Sequence, residues 1–177
     1  MFLTEFFGFF SLSAFTMWGF LMAFFFNVFI YSIGLKRETT LLLSSFIMMV
    51  SYTVSDYFFN WLSLKSTVYL DWALYDYATV TALFLAYKLL KKTSPSMMYI
   101  TLGLIINSIF SLLMYGDIFI NETNEPWFFW DVYTFTVNIV DFIMIVALIV
   151  DRDFLGLHKL KSKLLNYFKS NDTHKVT

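Results

Sequence analysis

Five apolar stretches occupy almost the whole of this 177-residue chain, at about 9–35, 41–64, 68–90, 97–120 and 127–150. Each is longer than the roughly 20 residues that a helix needs to cross a hydrocarbon layer about 30 Å thick. That layer holds no water to satisfy backbone N–H and C=O groups, so a crossing segment must pair them internally, as a helix does. The expected fold is therefore all-α: a polytopic transmembrane helix bundle over 1–153, followed by a basic, amphipathic cytoplasmic helix and tail over 154–177. Five spans are expected. The alternative is four, with one of the stretches 41–64 and 68–90 re-entrant, because the connection between them is short and Asp71 and Asp76 come early in the third stretch.

Basic residues decide between these counts and set an orientation. Lys36 and Arg37 follow the first stretch, Lys88, Lys91 and Lys92 the third, and Arg152 with five lysines the fifth, whereas Lys65 alone lies between the second and third and none lies between the fourth and fifth. Such alternation fits an odd number of crossings, with the N-terminus outside and the C-terminus in the cytoplasm of a cell membrane. Trp61, Tyr69, Trp72, Trp127 and Trp130 then gather at the outer ends, where amphipathic rings favour the interface. Glu5 and the length of the first stretch argue against a cleaved signal peptide, so this segment is expected to remain as a span.

Composition narrows the chemistry. Hydrophobic residues make up 59% and charged residues 14%, against roughly 45–50% and 25% in soluble domains, which leaves no material for a separate soluble domain. A net charge of -1 gives no basic surface for nucleic acid. With no cysteine, and with both histidines in the tail at 158 and 174, the spans offer no thiolate, imidazole base or haem ligand. The six glycines are scattered, so no phosphate-cradling loop is formed. No cofactor, metal or catalytic residue is expected, and a lipid-modifying enzyme is disfavoured because carboxylates alone supply little reaction chemistry.

What remains is a set of intramembrane carboxylates. Asp56, Asp76 and Asp141 fall within the apolar stretches, with Asp71 and Asp131 near their starts, where a carboxylate complements the positive helix end. A charged side chain at a helix centre costs about 2.5–3.5 kcal/mol even on the lenient insertion scale, so such an acid is protonated, hydrogen-bonded or holding a cation. Asp141 is the deepest. Asp131, Thr134, Asn138 and Asp141 recur at helical spacing and align on one side of the fifth stretch. Ser45, Thr53, Asp56 and Asn60 trace a similar line in the second, while Gly103, Asn107 and Ser111 form a small, polar seam in the fourth suited to close helix contact. A hydrogen bond from Asn107 to Asp141 is expected, and the candidate polar site is Asp141, Asn138, Asn107, Asp56 and Asp76. Against this stands the plainer account, in which polar side chains merely hold helices together.

Two further features bear on function. A shift of 58 residues aligns Tyr57 with Tyr115, Trp72 with Trp130, Tyr75 with Tyr133 and Phe84 with Phe142, a pattern that an aromatic belt alone also gives. In the tail, Leu157, Leu160, Leu164 and Phe168 share one helical face, and Lys159, Lys161, Lys163 and Lys169 are candidate contacts for lipid headgroups or a cytoplasmic partner. Two functions follow as expectations. The first is a non-enzymatic, homo-oligomeric membrane sensor or anchor subunit that works with a cytoplasmic protein, as in a bacterial defence or immunity module. The second is a proton or cation channel or transporter that uses the intramembrane aspartates.

Overall fold

The structure, a computed structural model, describes residues 12–34, 39–62, 68–91, 94–122, 125, 127–153, 155–157, 159 and 162–163, and of 12, 13 and 56–62 the backbone alone. It is all-helical over these residues: α1 (Leu12–Ser32), α2 (Thr39–Leu62), α3 (Val68–Leu90), α4 (Pro95–Phe119) and α5 (Phe128–Val150). Three of them are long and apolar enough to cross a membrane, α1 over Ala14–Ser32, α4 and α5. The other two are less uniform. α2 is apolar over Thr39–Ser55, and α3 carries Asp71, Asp76 and Lys88 within its length. Outside the described residues lie the side chains of Asp56, Asn60 and Trp61, the residues Lys36, Arg37, Lys65 and Lys92, and most of the tail, including Lys161 and Lys169.

Helix boundaries follow local chemistry. Pro95 opens α4 at its first turn, where the missing N–H has no intrahelical partner to lose. Asp71 in the first turn of α3 and Lys88 in its last complement the helix dipole, and Lys88 reaches back over the Phe84 ring at 5.0 Å from its centroid. α3 stops at Lys91, whose left-handed backbone (φ 52°) caps the helix with an N–H bonded to the Tyr87 carbonyl at 2.8 Å. Asp151 does the same for α5, with φ 48° and a bond to the Ala147 carbonyl at 2.9 Å.

The helices form a closed ring in chain order, each packed on the next, with α5 returning to α1. Closure depends on small residues. A methyl group on Gly19 would collide with the Ile145 side chain of α5, and one on Gly103 with Met144 and Val140, so at both places helices approach closely. Asn27 of α1 adds a bond from its Nδ2 to the Leu148 carbonyl of α5 at 3.2 Å. Gly103→Val is expected to lower stability by about 1–3 kcal/mol through overpacking, read as a reduced unfolding midpoint in detergent. An unchanged midpoint would contradict the close α4–α5 approach.

Polarity is distributed in the reverse of a soluble protein. Phe15, Trp18, Met22, Phe25 and Phe29 form an exposed stripe on α1, and Phe135, Ile139 and Phe142 one on α5, whereas Asn27, Thr79, Asn107, Ser111, Asp117 and Asp141 are buried. Large apolar faces outward and hydrogen-bonding groups inward are what a hydrocarbon solvent selects. The interior has two unlike halves. Toward the α1–α2 and α3–α4 connections it is filled by Ala23, Leu41, Met48, Leu83, Ile100, Leu104, Met144 and Leu148, all at most 1% exposed. Toward the other end it opens into a polar cavity.

That open end is stapled by an arrangement the sequence reading missed. Asp117, buried near the end of α4, accepts hydrogen bonds on Oδ2 from the indole N–H groups of Trp127 at 2.9 Å and Trp130 at 3.1 Å. The two tryptophans read as interface anchors therefore also fix the α4–α5 connection. Replacing both with Phe keeps the rings and removes both donors, with an expected loss of about 1–3 kcal/mol in unfolding measurements. Either single replacement should lose less, since one indole still serves the carboxylate.

Candidate functional site

The cavity has a volume of about 270 Å³, and every helix contributes to its wall: Thr16 from α1, Ser51, Tyr52 and Ser55 from α2, Trp72, Tyr75 and Asp76 from α3, Asn107 and Ser111 from α4, and Tyr133, Thr134, Val137, Asn138 and Asp141 from α5. No Lys, Arg or His is among them. Its floor is the boundary with the apolar half, and Asp141 sits on that floor.

Asp141 is 6% exposed and Asn107 is 4% exposed. The Asp141 Oδ1 accepts two short bonds, from the Tyr52 hydroxyl at 2.6 Å and from Asn107 Nδ2 at 2.7 Å. The bond expected between Asn107 and Asp141 is thus present, and the Gly103–Asn107–Ser111 seam is the reason: α5 lies against it closely enough for Met144 to cover Gly103. Both donors converge on Oδ1, so Asp141 Oδ2 takes neither of them, and the residue is part of the cavity wall. Asn107 Oδ1 is buried without a partner. Tyr52 reaches the acid across the bundle, its ring held against Phe20 of α1 at 4.2 Å between centroids. One carboxylate therefore joins α2, α4 and α5 directly, and α1 through the ring contact.

The other sequence candidates divide. Asp76 lines the same cavity from α3, so two carboxyls face one small space, where a second negative charge is repelled and a positive one attracted. Asn138 also lines it; its Nδ2 donates to the Thr134 carbonyl at 2.6 Å, which leaves the amide oxygen as an acceptor. Asp56 belongs to α2, but its side chain is outside the described residues, as are Lys161 and Lys169. Lys159 and Lys163 are exposed beyond α5 and take no part in the cavity. Asp131, read as part of the α5 stripe, lies in the first turn of that helix and not on the cavity wall.

Of the polar line expected on α2, Ser45 and Thr53 are not on the cavity wall; their hydroxyls bond back to their own helix, at Leu42 O (2.8 Å) and Met49 O (2.7 Å). The cavity face of α2 is instead Ser51, Tyr52 and Ser55, with Ser51 also hydrogen-bonded to Thr79 of α3. Tyr52 is the functional-looking residue that the sequence concealed. Its only signal is a lone tyrosine at mid-helix depth, away from the belts, whose hydroxyl needs a buried partner.

Aromatic side chains frame one wall. Tyr69 meets Trp72 edge to face at 5.2 Å and Tyr133 likewise at 5.6 Å, so it joins two rings of the cavity wall, one from α3 and one from α5. Tyr75 and Tyr133, paired by the 58-residue shift, both line the cavity, and Phe84 and Phe142, paired likewise, both face outward.

At the opposite end, Tyr99 of α4 donates from its hydroxyl to Asp153 Oδ1 at 2.6 Å and accepts from the Leu155 N–H at 2.9 Å. This clasp fixes the start of the basic tail against the bundle. No protein-family model, characterised protein or solved structure matches the chain.

Proposed function

We propose that this chain is a non-enzymatic, five-span membrane protein that takes a cation from the non-cytoplasmic side into an acidic cavity ending at mid-bilayer, and acts as a gated carrier for it. The observation that carries this reading is the Asp141 carboxylate in a cavity walled by all five helices, with no basic side chain among the described residues that line it. A structural acid would have both oxygens occupied by neighbouring helices. Here two donors share one oxygen, and the other is kept for something that enters.

Electrostatics and topology support the direction of entry. Among the described residues, the ends around the cavity mouth carry Asp71, Asp76, Asp117, Glu122, Glu125 and Asp131 and no basic residue, while Lys88, Lys91 and Arg152 lie at the other end. By the positive-inside rule the basic end is cytoplasmic, so the acidic mouth opens outward and raises the local concentration of cations. The apolar layer beneath Asp141 closes the path inward, which favours a gated carrier over an open pore. Reconstituted in liposomes, the protein is expected to give saturable, charge-carrying uptake of monovalent cations from a panel of inorganic and organic ions. Absence of uptake for the whole panel by correctly inserted protein would overturn the proposal.

A second reading, a sensor subunit with a cytoplasmic partner, draws support from the Tyr99 clasp, which gives the tail a fixed starting geometry. Exposed Lys159 and Lys163 then meet anionic headgroups or an acidic protein surface. Homo-oligomerisation loses one argument, because the Asp141 stripe finds its hydrogen bonds within a single chain. A cytoplasmic protein that co-purifies with the full chain, and is lost when 158–177 are deleted, would favour this reading.

A further inference from the structure

Resting on the cation-uptake reading above, we infer that the cavity binds a small organic ammonium ion, a protonated amine carrying an aryl or compact alkyl group, and not a bare metal ion. Three independent features point to this chemistry.

The first is the donor set. A metal ion stripped of water needs several oxygen ligands at short range, usually with two or more carboxylates converging. Among the described residues no group of three or more His, Cys, Asp or Glu comes together, and Asp141 offers one oxygen because the other is already saturated. An ammonium group has a different requirement: up to three N–H donors that must each find an acceptor. Asp141 Oδ2 supplies a charged acceptor. Asn107, 4% exposed and part of the cavity wall, adds an amide oxygen that is buried and unpartnered. An unmet acceptor in a membrane interior is costly, and an N–H donor that reaches it removes that cost. Asn138 supplies a further acceptor, since its own N–H group is bonded to Thr134.

The second feature is the lining. Tyr52, Trp72, Tyr75 and Tyr133 all contribute to the wall, and ring faces attract organic cations within about 6 Å of their centroids, more strongly where water is scarce. A hydrated inorganic ion gains little from such rings, whereas an amine with an apolar body gains from both the rings and the carboxylate.

The third is size. A water molecule occupies about 10–15 Å³ on the same measure, so 270 Å³ is far more than a dehydrated ion needs and suits a compact organic molecule. With the ammonium at Asp141, its apolar body would point toward the Trp72–Tyr133 wall and the mouth.

Benzylamine is a suitable probe, with benzyl alcohol as its neutral analogue and Na⁺, K⁺ and Ca²⁺ as inorganic controls at matched ionic strength. Binding to the full chain in detergent is read by thermal shift and by quenching of tryptophan fluorescence. Benzylamine is expected to bind saturably, benzyl alcohol at least tenfold more weakly. Asp141→Asn should abolish the benzylamine response, and Tyr75→Leu should weaken it at least tenfold. Because Asp141 also joins three helices, Val137→Trp gives a second test: it fills the cavity while Asp141, Tyr52 and Asn107 keep their identities, and it must also abolish binding.

Equal binding of benzyl alcohol and benzylamine would overturn the inference, since charge would not be recognised. Saturable binding of an inorganic cation at Asp141, with none of benzylamine, would overturn the ligand class and leave the cation-uptake reading standing. No Asp141-dependent response to any cation would remove both.

Discussion

Asp141→Asn is expected to abolish cation uptake in proteoliposomes, to below a hundredth of the wild-type rate, with the unfolding midpoint in detergent unchanged or slightly raised. The amide keeps an oxygen where Tyr52 and Asn107 donate, at 2.6 and 2.7 Å, so the contacts among α2, α4 and α5 survive. Only the charge and its attraction for a cation disappear. Removing an ionisable group from a low-dielectric interior relieves desolvation, and replacing buried charges with neutral groups is often neutral or stabilising. The alternative, in which Asp141 serves only to hold helices together, predicts unaltered transport, because the amide keeps both of those bonds. Measuring uptake on a preparation whose melting shows it to be folded therefore separates a functional carboxylate from structural glue.

The second large effect concerns the support of that carboxylate. Tyr52→Phe deletes one hydroxyl while the ring can still lie against Phe20, and hydrogen bonds to charged groups contribute about 1.5–3 kcal/mol. A loss in that range is expected on unfolding, together with slower uptake, because the carboxylate loses one of the two donors that hold it in place. Asn107→Leu removes the other donor and should act in the same direction. The two share one oxygen, so the double variant should depart from additivity by about 0.5 kcal/mol or more in a double-mutant cycle. Full additivity would mean that the pair does not act on Asp141 as a unit.

Much of this arrangement is legible in the sequence, for identifiable reasons. A carboxylate at the centre of an apolar stretch is so unfavourable in lipid that it must turn inward and find donors, and the Gly103–Asn107–Ser111 spacing marks the helix face that can come close enough to provide one. Helix ends are legible where Pro95 or an early Asp fixes them. What the sequence does not convey is which of many aromatic residues leaves the interface for the interior. Among 11 tyrosines, Tyr52 differs from belt residues only by its depth, and its partner is 89 positions away. Asp117 was overlooked because an acid at a helix end reads as solvated. Its burial follows from two tryptophans, 10 and 13 positions later, folding back as donors. On α2, Ser45 and Thr53 have a sufficient local partner in the preceding turn, so helical alignment of hydroxyls does not require that they face a neighbour.

The central claim is that a wet, cation-selective cavity penetrates a bundle whose outer surface faces lipid, and the absence of cysteine from the chain allows a direct test. Single cysteines at 134 and 138 on the cavity wall, and at 135, 139 and 142 on the exposed apolar face, can be treated in proteoliposomes with a membrane-impermeant, positively charged methanethiosulfonate. Fast modification at 134 and 138, with 135, 139 and 142 unreactive, is the predicted result. Equal rates at all five positions, or reaction confined to 135, 139 and 142, would contradict it.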